Sequence, residues 1–151
     1  MSGFHVEIGD SATFSKTVGE SDVYLFAGIT GDLSGNHVNE EYMRGSPYGG
    51  RIAHGALLIG YMSTTSTIVC AKAVALGLDE TPVSLGYDRV RFLEGVKLGD
   101  TITVVYTIAE IDRERRRSRA KVEMTNQGGE LVAVAEHILK WVKNAYPAAA
   151  T

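Results

Sequence analysis

The segment HGALLIGYMSTTSTIVCAKAVAL, residues 54–76, decides the fold of this chain. It carries most of a run of 20 residues, 52–71, that contains no Asp, Glu, Lys or Arg. The run is long enough for a membrane span, but hydrocarbon would accept His54 and the polar residues 63–67 poorly. A helix that is apolar on most of its sides must be covered by other elements. We therefore predict a helix buried inside the protein and ended by Gly77.

The residues after this helix change to the period of β-strands, in which alternate side chains share a face. In the first strand, the apolar residues Val83, Leu85 and Tyr87 occupy odd-numbered positions. Val90 and Phe92 then occupy even-numbered positions. Further strands are predicted at 101–111, 117–125 and 131–142. The sequence NQGG (126–129) between the last two is a hairpin signal. Four antiparallel strands are therefore expected after the helix.

The residues before the long helix alternate between short elements and glycine-rich connections. We predict a strand over Ala12–Val18, and then a helix that Ser21 caps and whose inner face carries Val23, Phe26 and Ile29. Residues 31–38 and 46–50 are predicted to be loops, and Asn39 is predicted to cap a short helical turn through Arg44. The whole chain is thus α+β, a long central helix wrapped by a curved antiparallel sheet.

Length and composition favour one soluble globular domain over residues 1–151, with a flexible tail at about 144–151. The chain has 151 residues, a formal charge of −3, 44% hydrophobic and 22% charged residues. Its single cysteine, Cys70, excludes an intrachain disulfide and a multi-cysteine metal site, and its apolar surroundings predict a buried, unreactive thiol. The opening MSGFHVEIGD has no secretory pattern and the closing PAAAT matches no targeting signal. We expect a cytoplasmic location.

The candidate chemistry lies where glycine is concentrated, since eight of the 17 glycines fall within residues 28–60. Asp32 and His37 stand in the loop there, and a carboxylate and an imidazole that converge on one water form a general acid/base pair. Alternatively, Asp32 only makes turn hydrogen bonds and His37 lies on the surface. Gly55 at the start of the long helix offers a backbone N–H to an oxyanion, or else it is needed for close packing.

Three stretches closely resemble the MaoC-like (R)-specific enoyl-CoA hydratases: FAGITGDLSGNHVN (26–39), RIAHGALL (51–58) and GYDRVRFLEGVKLGDTI (86–102). The resemblance extends from about residue 9 to residue 142. It implies a hot dog fold, usually paired into a homodimer or a higher homo-oligomer. The implied reaction is hydration of a trans-2-enoyl-CoA to a 3-hydroxyacyl-CoA and the reverse dehydration, without a metal or a redox cofactor.

The resemblance also implies roles for individual residues. Asp32 and His37 would hold the water that adds to C3 and would handle the C2 proton. The backbone N–H of Gly55 would polarise the thioester carbonyl. Ser63, at a position where the family often has a serine, and His54 are expected to line the substrate pocket.

The sequence departs from the family where Ser34-Gly35 replaces the common Asn-Pro and where Asn39 replaces an acidic residue. These departures affect the expected substrate more than the expected reaction. Two alternatives remain at this point: a non-catalytic acyl-CoA-binding module with the same fold, and a hot dog thioesterase. The thioesterases usually carry an acidic residue on the central helix, which residues 52–71 lack.

The basic run DRERRRSRAK (112–121) holds six of the 15 basic residues, and its alternate positions share one strand face. A solvated strand face is expected, with contact to the phosphates of CoA as the alternative. Nucleic acid and membrane are not expected partners. Arg44 and Arg51 are predicted to be solvated, unless one of them binds a second carboxylate of the substrate. His5 and His137 have no partners readable from the sequence, and no metal-binding spacing is present.

Overall fold

The computed structural model describes residues 4–77 and 79–145. The elements in chain order are β1 Ser11–Thr17, α1 Glu20–Thr30, α2 Gly35–Val38, α3 Glu40–Arg44, α4 Gly55–Ala75, β2 Glu80–Phe92, β3 Thr101–Asp112, β4 Arg117–Thr125 and β5 Leu131–Lys143. Of the predicted tail, residues 146–151 lie outside the described residues. Asn144 is held, because its side chain accepts a hydrogen bond from the Thr81 hydroxyl at 2.7 Å.

The five strands form one antiparallel sheet in the order β1-β3-β4-β5-β2. The sheet lies against α4, and this confirms the α+β class and the hot dog architecture. Register shifts interrupt the pairing of β2 with β5 between Ser84 and Gly86 and between Asp88 and Arg91. These irregularities explain why the apolar side chains of β2 change parity along the strand.

Helix α4 is long enough and apolar enough to cross a membrane by length and composition alone. One of its faces packs instead on the sheet, and its buried residues are Leu58, Tyr61, Met62, Thr65, Ser66, Cys70 and Ala73. The hydroxyl of Thr65 is satisfied within the helix by the carbonyl of Tyr61 at 2.8 Å. Burial also raises the pKa of the Cys70 thiol to about 11, which confirms the prediction of an unreactive cysteine.

The prediction for the start of α1 was wrong in its cap and in part of its face. Gly19 is the N-cap, and the Asp22 carboxylate accepts a hydrogen bond from the Gly19 N–H at 2.8 Å. Ser21 lies inside the first turn, where the Asp22 carboxylate already fills the capping role. Ile29 is 82% exposed, because only the side of α1 that carries Val23 and Ala27 reaches the core.

The segment 31–38 is not simply a loop, because α2 occupies its second half. Gly31 ends α1 at φ +80° and donates its N–H to the carbonyl of Ala27 at 2.9 Å. The chain then turns back, and the Ser34 carbonyl accepts from the N–H of His37 at 2.9 Å. This extra turn carries His37 inward. The predicted cap by Asn39 is confirmed, since its side chain accepts from the N–H of Tyr42 at 3.0 Å.

His137 is a buried polar residue on β5, next to the edge strand β2. His137 is 1% exposed and is bonded to the Tyr106 hydroxyl at 2.9 Å and the Ser84 hydroxyl at 2.8 Å. The Tyr87 ring stacks on it with centroids 4.1 Å apart. Burial lowers the pKa of His137 to about 4, so this imidazole is neutral at physiological pH. These contacts indicate a structural role for His137.

Candidate active site

His37 is held inside the protein rather than on its surface. Helix α2 carries it inward, and it is 7% exposed. Its Nδ1 lies 2.8 Å from the carbonyl oxygen of Ile52, which can only accept a hydrogen bond. Nδ1 is therefore the protonated nitrogen, and Nε2 carries the lone pair. The alternative of a surface histidine is wrong.

Asp32 lies in the exposed turn that separates α1 from α2. Its Oδ1 accepts a weak hydrogen bond from the Ser34 N–H at 3.3 Å, as a turn-forming aspartate does. The turn also brings the carboxylate to His37: one ligand atom each from Asp32, His37 and His54 lie within 4.8 Å of one another. The predicted pair of Asp32 and His37 therefore does converge. Asp32 makes the turn hydrogen bond and also lies close to His37.

Gly55 is the first residue of α4, where backbone N–H groups have no partner within the helix. It shares a cavity of about 370 Å³ with His37 and Phe92. A Cβ atom at residue 55 would lie 2.6 Å from the Phe92 ring. The need for close packing at this glycine is confirmed, and the positive end of the helix dipole faces the cavity, whereas binding of an oxyanion by its N–H stays a prediction.

A wider surface cavity of about 850 Å³ adjoins this one and shares Asn36, Tyr48 and Ile52 with it. Its polar lining is uncharged and comes from amide and hydroxyl groups, for example those of Ser34 and Asn39. Such groups suit a ligand that carries amides and hydroxyls more than one that carries charges.

His54 is not among the residues that line either cavity within the described chain. It is 2% exposed and its ring stacks on His37 with centroids 3.7 Å apart. Phe26 covers it at 4.7 Å. Its Nε2 donates to the backbone carbonyl of Asp32 at 3.0 Å. No local sequence pattern predicts these contacts, because they join residues 22 and 17 positions apart through the tertiary fold.

Ser63 lies apart from these residues. Eight residues of α-helix separate it from Gly55, which corresponds to about 12 Å along the axis. It is exposed and lines a groove of about 540 Å³ between α4 and β2. The Ser63 hydroxyl lies close enough to Tyr87 to oppose the rise in the tyrosine pKa that burial causes. The structure therefore does not bring Ser63 into the cavity that holds His37 and Gly55.

Arg51 was predicted to be solvated, and this prediction was wrong. Its side chain is 12% exposed and forms ion pairs with Glu20 at 2.7 Å and Glu40 at 2.8 Å. The two carboxylates raise its pKa, and Arg51 lowers the pKa of both. Arg44 does remain on the surface, 67% exposed beside Glu41. Arg51 thus ties α1 and α3 to the segment that enters α4.

The basic run forms a solvated face, as expected, but its charges are largely paired. Arg119 contacts Asp88 at 3.0 Å and Glu136 at 2.6 Å, and Lys121 contacts Glu123 at 2.8 Å. Acidic neighbours reduce the positive potential that would attract phosphate.

Asp32, His37 and His54 also offer the mixed nitrogen and oxygen ligands of a transition-metal site. The geometry fits a cation poorly, because His54 uses Nε2 to bond the Asp32 carbonyl, and its Nδ1 is buried. A bound cation would require this ring to give up that hydrogen bond.

The chain is similar to several known proteins. An (R)-specific enoyl-CoA hydratase from Rhodospirillum rubrum is 32% identical over 111 residues, which cover 74% of this chain and 72% of that protein. A 3-hydroxybutyryl-CoA dehydratase from Methylorubrum extorquens is 31% identical over 135 residues, with coverage of 89% and 80%. The R-hydratase PhaJ1 from Pseudomonas aeruginosa superposes with a TM-score of 0.78 at 28% identity, covering 92% of this chain and 84% of that one.

The family model of the MaoC-like domain matches residues 4–130. That range contains the Asp32 turn, His37, the start of α4 and the first four strands. Because the model spans most of the chain and the solved relative shares its fold, the chain belongs to the family of MaoC-like domains.

Proposed function

We propose that this protein is an (R)-specific enoyl-CoA hydratase, which adds water to a trans-2-enoyl-CoA to form a 3-hydroxyacyl-CoA and also catalyses the reverse dehydration. One observation carries the proposal: the Asp32 carboxylate and the His37 imidazole converge beside the open N-terminus of α4. The relatives named as a hydratase and a dehydratase support the same reaction in its two directions.

The geometry suggests how the reaction proceeds. Atoms within 4.8 Å of each other can be bridged by one water that makes two hydrogen bonds of about 2.8 Å. The Nε2 lone pair of His37 accepts a proton from this water as the water oxygen bonds to C3, while the Asp32 carboxylate orients the water and offsets the charge on the imidazole. The π electrons of the C2–C3 bond move towards the thioester oxygen.

The negative charge that develops on this oxygen meets the N–H of Gly55 and the positive end of α4. The enolate then takes a proton at C2 from His37, the same proton that left the water. The dyad returns to its starting protonation state, so the cycle is complete without a redox cofactor or a metal. We propose a cytoplasmic location for this chemistry.

The test is turnover of a short trans-2-enoyl-CoA in the presence of EDTA, followed by loss of the conjugated thioester absorbance and by chiral analysis of the product. We expect Asp32→Asn and His37→Gln each to lower kcat by about 10²- to 10⁴-fold. Asp112→Asn is the matched control, because its carboxylate is 40% exposed and lies at the far end of β3.

Three results would contradict this assignment. Wild-type rates in both dyad variants would remove the catalytic role of Asp32 and His37. Binding of enoyl-CoAs without turnover would favour the non-catalytic binding module. Release of free thiol from acyl-CoA would favour a thioesterase, for which α4 carries no carboxylate between Gly55 and Ala75.

We also propose that the protein is a homodimer. In the described sheet β2 is an edge strand, and Val83 and Leu85 on it are 45% and 51% exposed. On α4, Val74 lines the groove that separates this helix from β2 and is 57% exposed. An uncovered strand edge beside an apolar helix face is a surface that a second copy can cover.

A further inference from the structure

The turn that carries Asp32 has few contacts of its own. Asp32, Leu33 and Ser34 are all exposed, so packing does not fix them. The hydrogen bonds of residues 31–34 run to α1, to α2 or within the turn, with one exception among the described residues. That exception is the bond from His54 Nε2 to the Asp32 carbonyl at 3.0 Å.

His54 itself is fixed from several sides. It is the N-cap of α4, and the N–H of Ala53 just before it donates to the Val96 carbonyl at 2.7 Å. Phe26 packs on the ring, and His37 stacks on it at an interplanar angle of 24°. One rigid side chain therefore touches both the backbone of Asp32 and the ring of His37.

The remaining nitrogen of His54 argues against direct proton transfer. Nδ1 is buried and has no hydrogen-bond partner among the described residues, and Nε2 is committed to a backbone carbonyl. A group that exchanges protons with a substrate or with water needs a nitrogen that can reach one of them.

We propose that His54 is a positioning residue that sets the separation between the Asp32 carboxylate and the His37 imidazole. It transmits the fixed position of the α4 N-terminus to the two catalytic groups, through a hydrogen bond on one side and ring stacking on the other. The inference rests on the proposed hydratase function. An error of about 1 Å in such a separation costs on the order of 10²-fold in rate.

The experiment compares His54→Gln with His54→Asn in enoyl-CoA turnover. Both amides carry an N–H donor, but the shorter Asn side chain cannot reach the Asp32 carbonyl. We expect Asn to lower kcat by about 10- to 100-fold and to leave KM within about threefold, whereas Gln recovers most of the kcat. His54→Phe, which keeps the ring and loses the donor, should resemble Asn.

His5→Phe is the matched control, because this side chain is 9% exposed and contacts Glu80 at the opposite end of β2. It should keep the wild-type kcat. Equal kcat values in His54→Gln and His54→Asn would overturn the inference. This comparison does not depend on His54→Phe, so it still decides the question if that variant fails to fold.

Amide hydrogen exchange of residues 31–34 provides a readout that does not depend on turnover. Exchange should be faster in His54→Asn than in His54→Gln, and equal rates would overturn the inference. An inactive wild-type protein would instead contradict the proposed function, and the exchange comparison would still decide the role of His54.

Discussion

At the scale of single residues, the close approach of Phe92 to Gly55 limits the space at the N-terminus of α4. A Cβ atom at residue 55 would meet three atoms of the Phe92 ring at 2.6–2.8 Å. Phe92 is 49% exposed, so its ring can move, but the movement changes the cavity that it shares with His37. The absence of a side chain at residue 55 therefore sets the shape of this cavity.

We predict that Gly55→Ala lowers kcat/KM by about tenfold, because the displaced ring narrows the approach to the oxyanion site. Adding Phe92→Ala should recover part of this loss, and Phe92→Ala alone completes the double-mutant cycle. Steady-state kinetics and thermal melting of the four proteins measure the effect. A wild-type kcat/KM for Gly55→Ala alone would contradict the need for this space.

At the scale of elements, Arg51 joins α1, α3 and the segment 51–55, none of which is a strand of the sheet. It contacts Glu20 on α1, Glu40 on α3 and the Tyr24 hydroxyl at 2.9 Å. The next residue, Ile52, supplies the carbonyl that orients His37. The ion pairs therefore act on the active site through the position of the 51–55 segment.

We predict that Arg51→Gln lowers the melting temperature by about 2–4 °C at neutral pH, and that Arg44→Gln, which breaks one exposed pair, changes it by less than about 1 °C. Arg51 lowers the pKa of Glu20 and Glu40 from 4.5, so their contribution is present above that value and is lost as the pH falls through the lowered pKa values. The difference in melting temperature between the wild type and Arg51→Gln should therefore become smaller at acidic pH. Scanning calorimetry from pH 7 to about 3 tests this, and an equal effect of both substitutions would contradict it.

Local signals in the sequence predicted the elements well. The run without charged residues predicted α4 and its end at Gly77. The alternation of apolar and polar residues predicted the strands, and NQGG (126–129) predicted the β4–β5 hairpin. Short elements were less predictable. Helix α2 depends on the backbone turn at Ser34, and the cap of α1 depends on Asp22 rather than on the nearby Ser21.

The residues of the candidate site also differ in how far local sequence patterns predict them. The resemblance pointed to Asp32, His37 and Gly55, which the fold brings together. The role of His54 and the pairing of Arg51 depend on contacts between residues far apart in the chain, and local pattern carries no information on them. Ser63 has the expected residue type, but the length of α4 places it in another groove.

At the scale of the whole molecule, the neutral histidine in the sheet makes stability depend on pH. His137 has a pKa of about 4 in the folded protein and 6.5 without burial. The unfolded chain binds more protons between these values, so stability falls as the pH drops from 6.5 towards 4. The loss amounts to at most about 3 kcal/mol.

We predict that His137→Gln, which cannot titrate, has a lower free energy of unfolding at pH 7.5 but a smaller loss between pH 6.5 and 4.5 than the wild type. Urea unfolding at several pH values measures both slopes. If the free energy of unfolding changed equally with pH in the two proteins, His137 would not be the source of the pH dependence.

The proposed dimer makes a further prediction at this scale. Light scattering should give a mass of twice 16.3 kDa, and Val74→Glu should shift it towards one chain, because the charge would be buried against the second copy. Lys72→Glu changes the charge on a residue already polar and exposed, and it serves as the control. A monomeric wild type would contradict the proposal.

The single cysteine on the buried face of α4 has a practical consequence. Cys70 is 3% exposed and its thiol has a pKa of about 11, so we expect a thiol-specific reagent to react with it slowly in the folded protein and faster once the helix separates from the sheet. Labelling of this one sulfur therefore reports the opening of the core in a protein that needs no engineered probe. For the same reason, we expect that CoA set free from a thioester can be titrated with such a reagent in the presence of the folded protein, with little background signal from the chain itself.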